Sequence, residues 1–179
     1  ELAQRPGTGP GDVGALVAVG MNGEPLPPTH GFPARLVVPG LYGYVSATKW
    51  LSAIELTTFE AEQGYWIPRG WAREGPIKTQ TRIDVPRQST VPAGRQPIAG
   101  VAWAPSRGID RVEVRIDDGP WRAARLADAL GVDAWRQWVY DWDATPGRHT
   151  ISARATDGTG EVQTAQVAHP APDGASGHH

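Results

Sequence analysis

The 179-residue chain contains no cysteine. Disulfides, thiolate catalysis and Cys-ligated zinc are therefore excluded within it. No apolar run approaches the roughly 20 residues of a membrane span. The most apolar early stretch, residues 13–21, is broken by Gly14 and Gly20. No basic segment leads into an apolar one as in a signal peptide, so any export or anchoring signal is expected outside this sequence, with an extracytoplasmic, periplasmic setting as the expectation. Charge shows no bias either. The formal net charge is −2 with both signs interspersed, which gives no electrostatic reason for a nucleic-acid partner. No Walker A loop occurs, and the histidines show no metal-ligand spacing.

What is plentiful is glycine and proline, 22 and 17 residues. This favours short strands and many turns over long helices. The fold class is mainly β, α+β overall. Residues 1–12 read as a loop and residues 13–19 as a short strand. Asn22-Gly23 makes a turn, because both residues tolerate positive φ. Four prolines between positions 25 and 33 exclude a helix there. Residues 35–38 read as a strand, 42–46 as a bend, and 49–58 as a strand whose core face carries Trp50, Ile54 and Leu56. Residues 59–82 are irregular and aromatic.

The Pro-rich polar stretch around residues 84–95 reads as a linker or an edge strand entering a new domain, dividing the chain into domains 1–84 and 85–179. The second carries the signals of an Ig-like sandwich. Strands are expected at 98–103, 111–116, 121–126, 135–142, 149–155 and 161–167, with turns at Asp117-Asp118-Gly119-Pro120, Thr145-Pro146-Gly147-Arg148 and Asp157-Gly158. Nothing strand-like follows Pro170, so the last strand of the sandwich is expected to be absent and an edge left open. Trp138, Tyr140 and Trp142 share one strand face, which fits a core or interface stripe better than a stacking platform. Asp141 and Asp143 read as solvated.

The chemistry concentrates in residues 21–51, MNGEPLPPTHGFPARLVVPGLYGYVSATKWL. His30, Arg35 and Lys49 stand among Gly/Pro turns that expose backbone N–H groups, and Ser46 and Thr48 add hydroxyls. Such a set can hold an anion such as a phosphate. On spacing alone the set reads first as surface charges and a hydrogen-bonded loop histidine.

The order of these motifs goes further. Asn-Gly-x-Pro-Leu-Pro, then His-Gly-x-Pro-x-Arg, Val-Pro-Gly and a run ending Lys-Trp-Leu resembles the sulfite oxidase family of molybdopterin-dependent oxidoreductases. The resemblance implies that the chain holds the end of the molybdopterin-binding domain followed by an Ig-like dimerisation domain. It implies a molybdenum-molybdopterin cofactor, bound through His30, Arg35 and Lys49, with Ser46, Ala47 and Thr48 lining the same site. It further implies a small oxo-compound such as sulfite as substrate, a homodimer through the Ig-like domain, and a companion N-terminal half of the cofactor domain. In that family the molybdenum is held by a cysteine, which is lacking here. The chain alone is therefore expected to be inactive, and no catalytic residue is assigned in it. Trp66, Arg69, Trp71 and Lys78 are further candidates for the border of the cofactor site. The competing reading is a secreted Ig-like binding module.

Overall fold

The computed structural model describes residues 14–179. The expected loop at 1–12, and Val13, lie outside the described residues. Two compact units emerge from the contacts. One comprises the chain up to Ile77 together with Pro170–Gly174, and the other Lys78–His169 together with Ala175–His179. The change of unit precedes the Pro-rich stretch at 84–95.

The first unit is built from short pieces. Strand β1 (Leu16–Ala18) is followed by a hairpin, β2 (Gly20–Met21) and β3 (Glu24–Pro25). Asn22 and Gly23 turn this hairpin at φ of 55° and 82°, the double positive φ that a two-residue hairpin loop demands. A 3-10 turn at Pro28–His30 closes on Gly31, which takes a left-handed φ of 111°. Strand β4 (Arg35–Val37) returns antiparallel to β1, and helix α1 (Gly43–Ser46) stands where the bend was expected.

The strand expected at 49–58 does not form. Trp50 sits at φ 53°, off the extended conformation, and Ile54 and Leu56 are 55% and 91% exposed. With only an imperfect alternation, these residues run as an irregular loop. The aromatic segment packs as a row of rings, with centroids 6.4 Å apart for Tyr42 and Tyr44, 4.8 Å for Tyr44 and Trp71, and 6.2 Å for Trp66 and Trp71.

The second unit holds two antiparallel sheets. Strands β5 (Gln80–Val85), β6 (Gly94–Trp103), β9 (Arg125–Leu126) and β10 (Arg136–Ala144) form one, in the order β5-β6-β10-β9. The other has the order β11-β7-β8, from β7 (Ile109–Ile116), β8 (Arg122–Ala123) and β11 (Ile151–Asp157). The return expected at 121–126 is split: β8 pairs with β7, while β9 crosses to pair with β10.

Between the sheets lie Ile98, Ala102, Val112, Val114, Trp138, Ala153 and Ala155, each no more than 2% exposed. Tyr140 and Trp142 pack against them, so the aromatic stripe is a core stripe. Gly100 faces Trp138 across the β6–β10 register. A Cβ there would lie 1.8 Å from the Arg82 carbonyl oxygen, so only glycine lets β5 pair at this point.

The strand expected at 161–167 is reduced to a single bridge, Thr156 with Val162. Gln163 replaces it. Buried at 7% exposure, its Nα–H donates to the Ala155 carbonyl, its Oε1 accepts the Ala155 N–H, and its Nε2 donates to Gly177. A side chain thereby satisfies edge groups that a strand would otherwise pair. Further along the same edge, His179 exchanges both backbone hydrogen bonds with Ala153, so β11 is covered at these points. Among the described residues no helix is long and apolar enough to cross a membrane.

Candidate cofactor-binding site

The loop of residues 28–51 folds back on itself around Gly31. Trp50 N–H donates to the Gly31 carbonyl, Leu51 N–H to Ala34, and Leu36 N–H to Thr48. These bonds lay residues 48–51 alongside 31–36. Two side chains pin the 3-10 turn from the same side: Lys49 Nζ donates to the Thr29 carbonyl and Trp50 Nε1 to that of Pro28, both at 2.9 Å.

Arg35 and Lys49 are thereby brought to the same place. A Cβ built on Gly31 would lie 3.1 Å from the Lys49 Cβ and 3.3 Å from the Arg35 Cβ. Gly31 is buried and bare, so its main chain forms the floor between the two cationic stems. Arg35 is half-buried, and its Nε is enclosed without a hydrogen-bond partner among the described residues. An unsatisfied guanidinium nitrogen costs on the order of 1–3 kcal/mol until an acceptor reaches it. Lys49 spends one of its three donors on Thr29. No hydrogen bond engages the amides of Thr48 and Lys49 among the described residues. The collected donors are those of an anion cradle.

The remaining residues separate by role. Ser46 is 4% exposed and its Oγ lies 3.1 Å from the carbonyls of Leu41 and Tyr42, so its hydroxyl is used on the segment that leads into α1. The Ala47 N–H closes the helix on Gly43. His30 is exposed at the end of the 3-10 turn, with its N–H bonded to Pro27. Arg69 lies over the Tyr65 ring at 3.6 Å and donates Nη1 to the Tyr65 carbonyl, which ties it into the aromatic row.

Sequence reading missed Trp50 as the residue that anchors the loop. Its indole N–H and its left-handed φ fasten the Lys49 backbone to the turn. A tryptophan following the lysine was the available signal, but it read as a core position.

Residues 9–66 match the family described as the oxidoreductase molybdopterin binding domain. The chain is 31% identical to the mitochondrial sulfite oxidase of Macaca fascicularis over 88% of its own length and 33% of that protein. It is 34% identical to an NADPH nitrate reductase of Fusarium oxysporum over 63% of the chain and 16% of that enzyme. Among solved structures, the sulfane dehydrogenase SoxCD of Paracoccus pantotrophus superposes with a TM-score of 0.67 at 32% identity, covering 84% of this chain and 42% of that one. The chain thus spans about a third of the length of the sulfite oxidases it matches. With a cation pair over a glycine floor in the segment that carries the family motifs, the chain belongs to the sulfite oxidase family of molybdopterin-dependent oxidoreductases.

Proposed function

We propose that the loop of residues 28–49 holds the phosphorylated pterin of a molybdenum cofactor, in an enzyme that carries out two-electron oxidation or reduction of a small oxo-compound such as sulfite. The observation that carries this reading is the enclosed Nε of Arg35, unpartnered among the described residues, on a side chain whose stem meets that of Lys49 at the bare Gly31. The residues present fit the group. Arg35 and Lys49 supply charge-assisted donors for a phosphate, the Thr48 and Lys49 amides add neutral ones, and the Gly31 main chain admits close approach. His30 stands exposed at the turn as a hydrogen-bonding side chain for the pterin. When bound, the cofactor supplies the redox chemistry, while the protein supplies binding and orientation.

Two partners belong to the proposal. A further part of the cofactor domain would cover the exposed apolar side chains of the first unit, among them Val19 (67% exposed), Phe32 and Leu56. A second copy would cover the outer face of the β5-β6-β10-β9 sheet. There Val85, Ala99, Val101 and Val139 line an open groove of about 400 Å³.

The test is direct. The full-length protein is purified, its molybdenum measured by elemental analysis, and its pterin by fluorescence after oxidative release. Near-stoichiometric amounts of both, with sulfite-dependent reduction of a one-electron dye, support the reading. Protein that is folded yet free of pterin contradicts it.

A further inference from the structure

The outer face of the β11-β7-β8 sheet carries a second cationic cluster, built within the second unit alone. In the β7–β11 register, Arg115 stands opposite Ser152, and Glu113 opposite Arg154. Trp121, just past the β7 hairpin turn, brings the two arginines together. The Arg115 Cζ lies 4.8 Å from its ring centroid and the Arg154 Cζ 4.4 Å. The His178 ring meets the same indole edge-on at 5.3 Å.

The charges do not balance. Glu113 accepts from Arg154 at 2.9 Å and lies 3.7 Å from Arg111, so one carboxylate serves two guanidiniums. Among the described residues Arg115 pairs with no carboxylate. Its Nε is enclosed and lacks a hydrogen-bond partner among the described residues. Stacking on Trp121 holds the guanidinium plane but satisfies none of its N–H groups, because a ring face attracts the charge without accepting those bonds in the way an oxygen does. A planar guanidinium locked by stacking and left with open donors is preorganised for an oxyanion, which it can take bidentately.

We propose that Arg115, supported by Trp121 and Arg154, forms a binding site for a small oxyanion of the sulfate or phosphate type. Glu113 argues for a small ligand over an extended acidic partner. Its carboxylate sits in the middle of the patch, where a second row of negative charge would meet it, whereas a single oxyanion over Arg115 need not approach it. The site is independent of the Arg35–Lys49 loop and stands or falls without it.

The experiment labels the full-length protein with 5-fluorotryptophan and assigns the Trp121 fluorine signal by its disappearance in Trp121→Phe. Sodium sulfate and, separately, sodium phosphate are titrated at constant ionic strength against sodium perchlorate. The expected result is a saturable shift of the Trp121 signal with either oxyanion. Arg115→Gln abolishes the saturation, Arg115→Lys weakens the midpoint at least tenfold by removing the fork, and Arg122→Gln leaves it unchanged. Folding of each variant is read from the other fluorotryptophan signals, which keep their positions. A Trp121 signal that stays still, or drifts linearly and identically in perchlorate, overturns the proposal. So does a saturable shift that survives in Arg115→Gln.

Discussion

Arg35 and Lys49 meet across Gly31: a methyl on the Gly31 α-carbon would fall 3.3 Å from the Cβ of one and 3.1 Å from the Cβ of the other. The two cations come from opposite arms of the loop, 35 from β4 and 49 from the segment after α1. The loop thus brings the stems of two cationic side chains together, where one anion can be reached by both.

This arrangement makes Gly31 more demanding than an ordinary left-handed glycine. Gly31→Ala is expected to cost about 1–3 kcal/mol from backbone strain and crowding together. Gly70→Ala is the control. Gly70 has φ 89° but nothing within 4 Å of a Cβ, so its substitution carries backbone strain alone. Urea unfolding of the two variants checks the difference. Equal losses would show that the Arg35 and Lys49 stems do not crowd the position.

A buried carboxylate organises the second unit. Asp157 is fully buried; its Oδ2 accepts from Thr79 Oγ1 and Arg107 Nε, both at 2.7 Å, and its Oδ1 from Thr159 and Glu161. Burial by itself would raise its pKa, but the hydrogen bonds from Thr79, Thr159 and Arg107 outweigh it and hold the carboxyl below its ordinary range. Asp157→Ala removes the carboxylate that Arg107 and Thr79 share and is expected to cost about 3 kcal/mol in urea unfolding. A group depressed in the folded state stabilises above its unfolded pKa. The Asp157 contribution is therefore present at neutral pH and lost as the pH falls through the carboxylate range. Asp157→Asn should flatten that acid dependence, and an unchanged acid slope would contradict the assignment.

The turn after β10 carries a pH-sensitive pair. His149 Nδ1 lies 2.8 Å from Asp117 Oδ2, and its Nε2 lies 3.1 Å from the Thr145 carbonyl. The Asp117 hydrogen bond, then that to Thr145, raises the His149 pKa. The His149 bond, then the Thr150 N–H, lowers that of Asp117. A raised histidine stabilises below its unfolded pKa of about 6.5 and loses that contribution as pH rises through the folded value. Asp117 behaves oppositely, contributing above about pH 4 and losing its effect in acid. His149→Gln should therefore narrow its deficit against the parent protein between about pH 6 and pH 8. A deficit that grows over that interval would refute the pairing.

Legibility in the sequence followed how locally the information was written. The candidate loop is read from one stretch of 31 positions because its cations, prolines and glycines are neighbours in the chain. Strict alternation likewise revealed β7, whose Val112 and Val114 are buried as expected. What stayed hidden depends on distant partners. Asp157 read as a turn residue because Thr79 and Arg107 stand 78 and 50 positions away. The strand expected at 49–58 failed because alternation cannot report that Trp50 is held at positive φ by a hydrogen bond to Pro28. The strand expected at 161–167 failed because the Ala155 N–H is taken by the Gln163 side chain and not by a backbone carbonyl.

The central claim is that Arg35 and Lys49 hold the phosphate of the cofactor. Molybdenum and released pterin are to be measured per mole of purified full-length Arg35→Ala, Lys49→Ala and parent protein, with folding matched by circular dichroism. Loss of one charge-assisted contact, about 1.5–3 kcal/mol, predicts cofactor affinity roughly 10- to 100-fold weaker, with both contents falling together. Full occupancy in both folded variants would contradict the account.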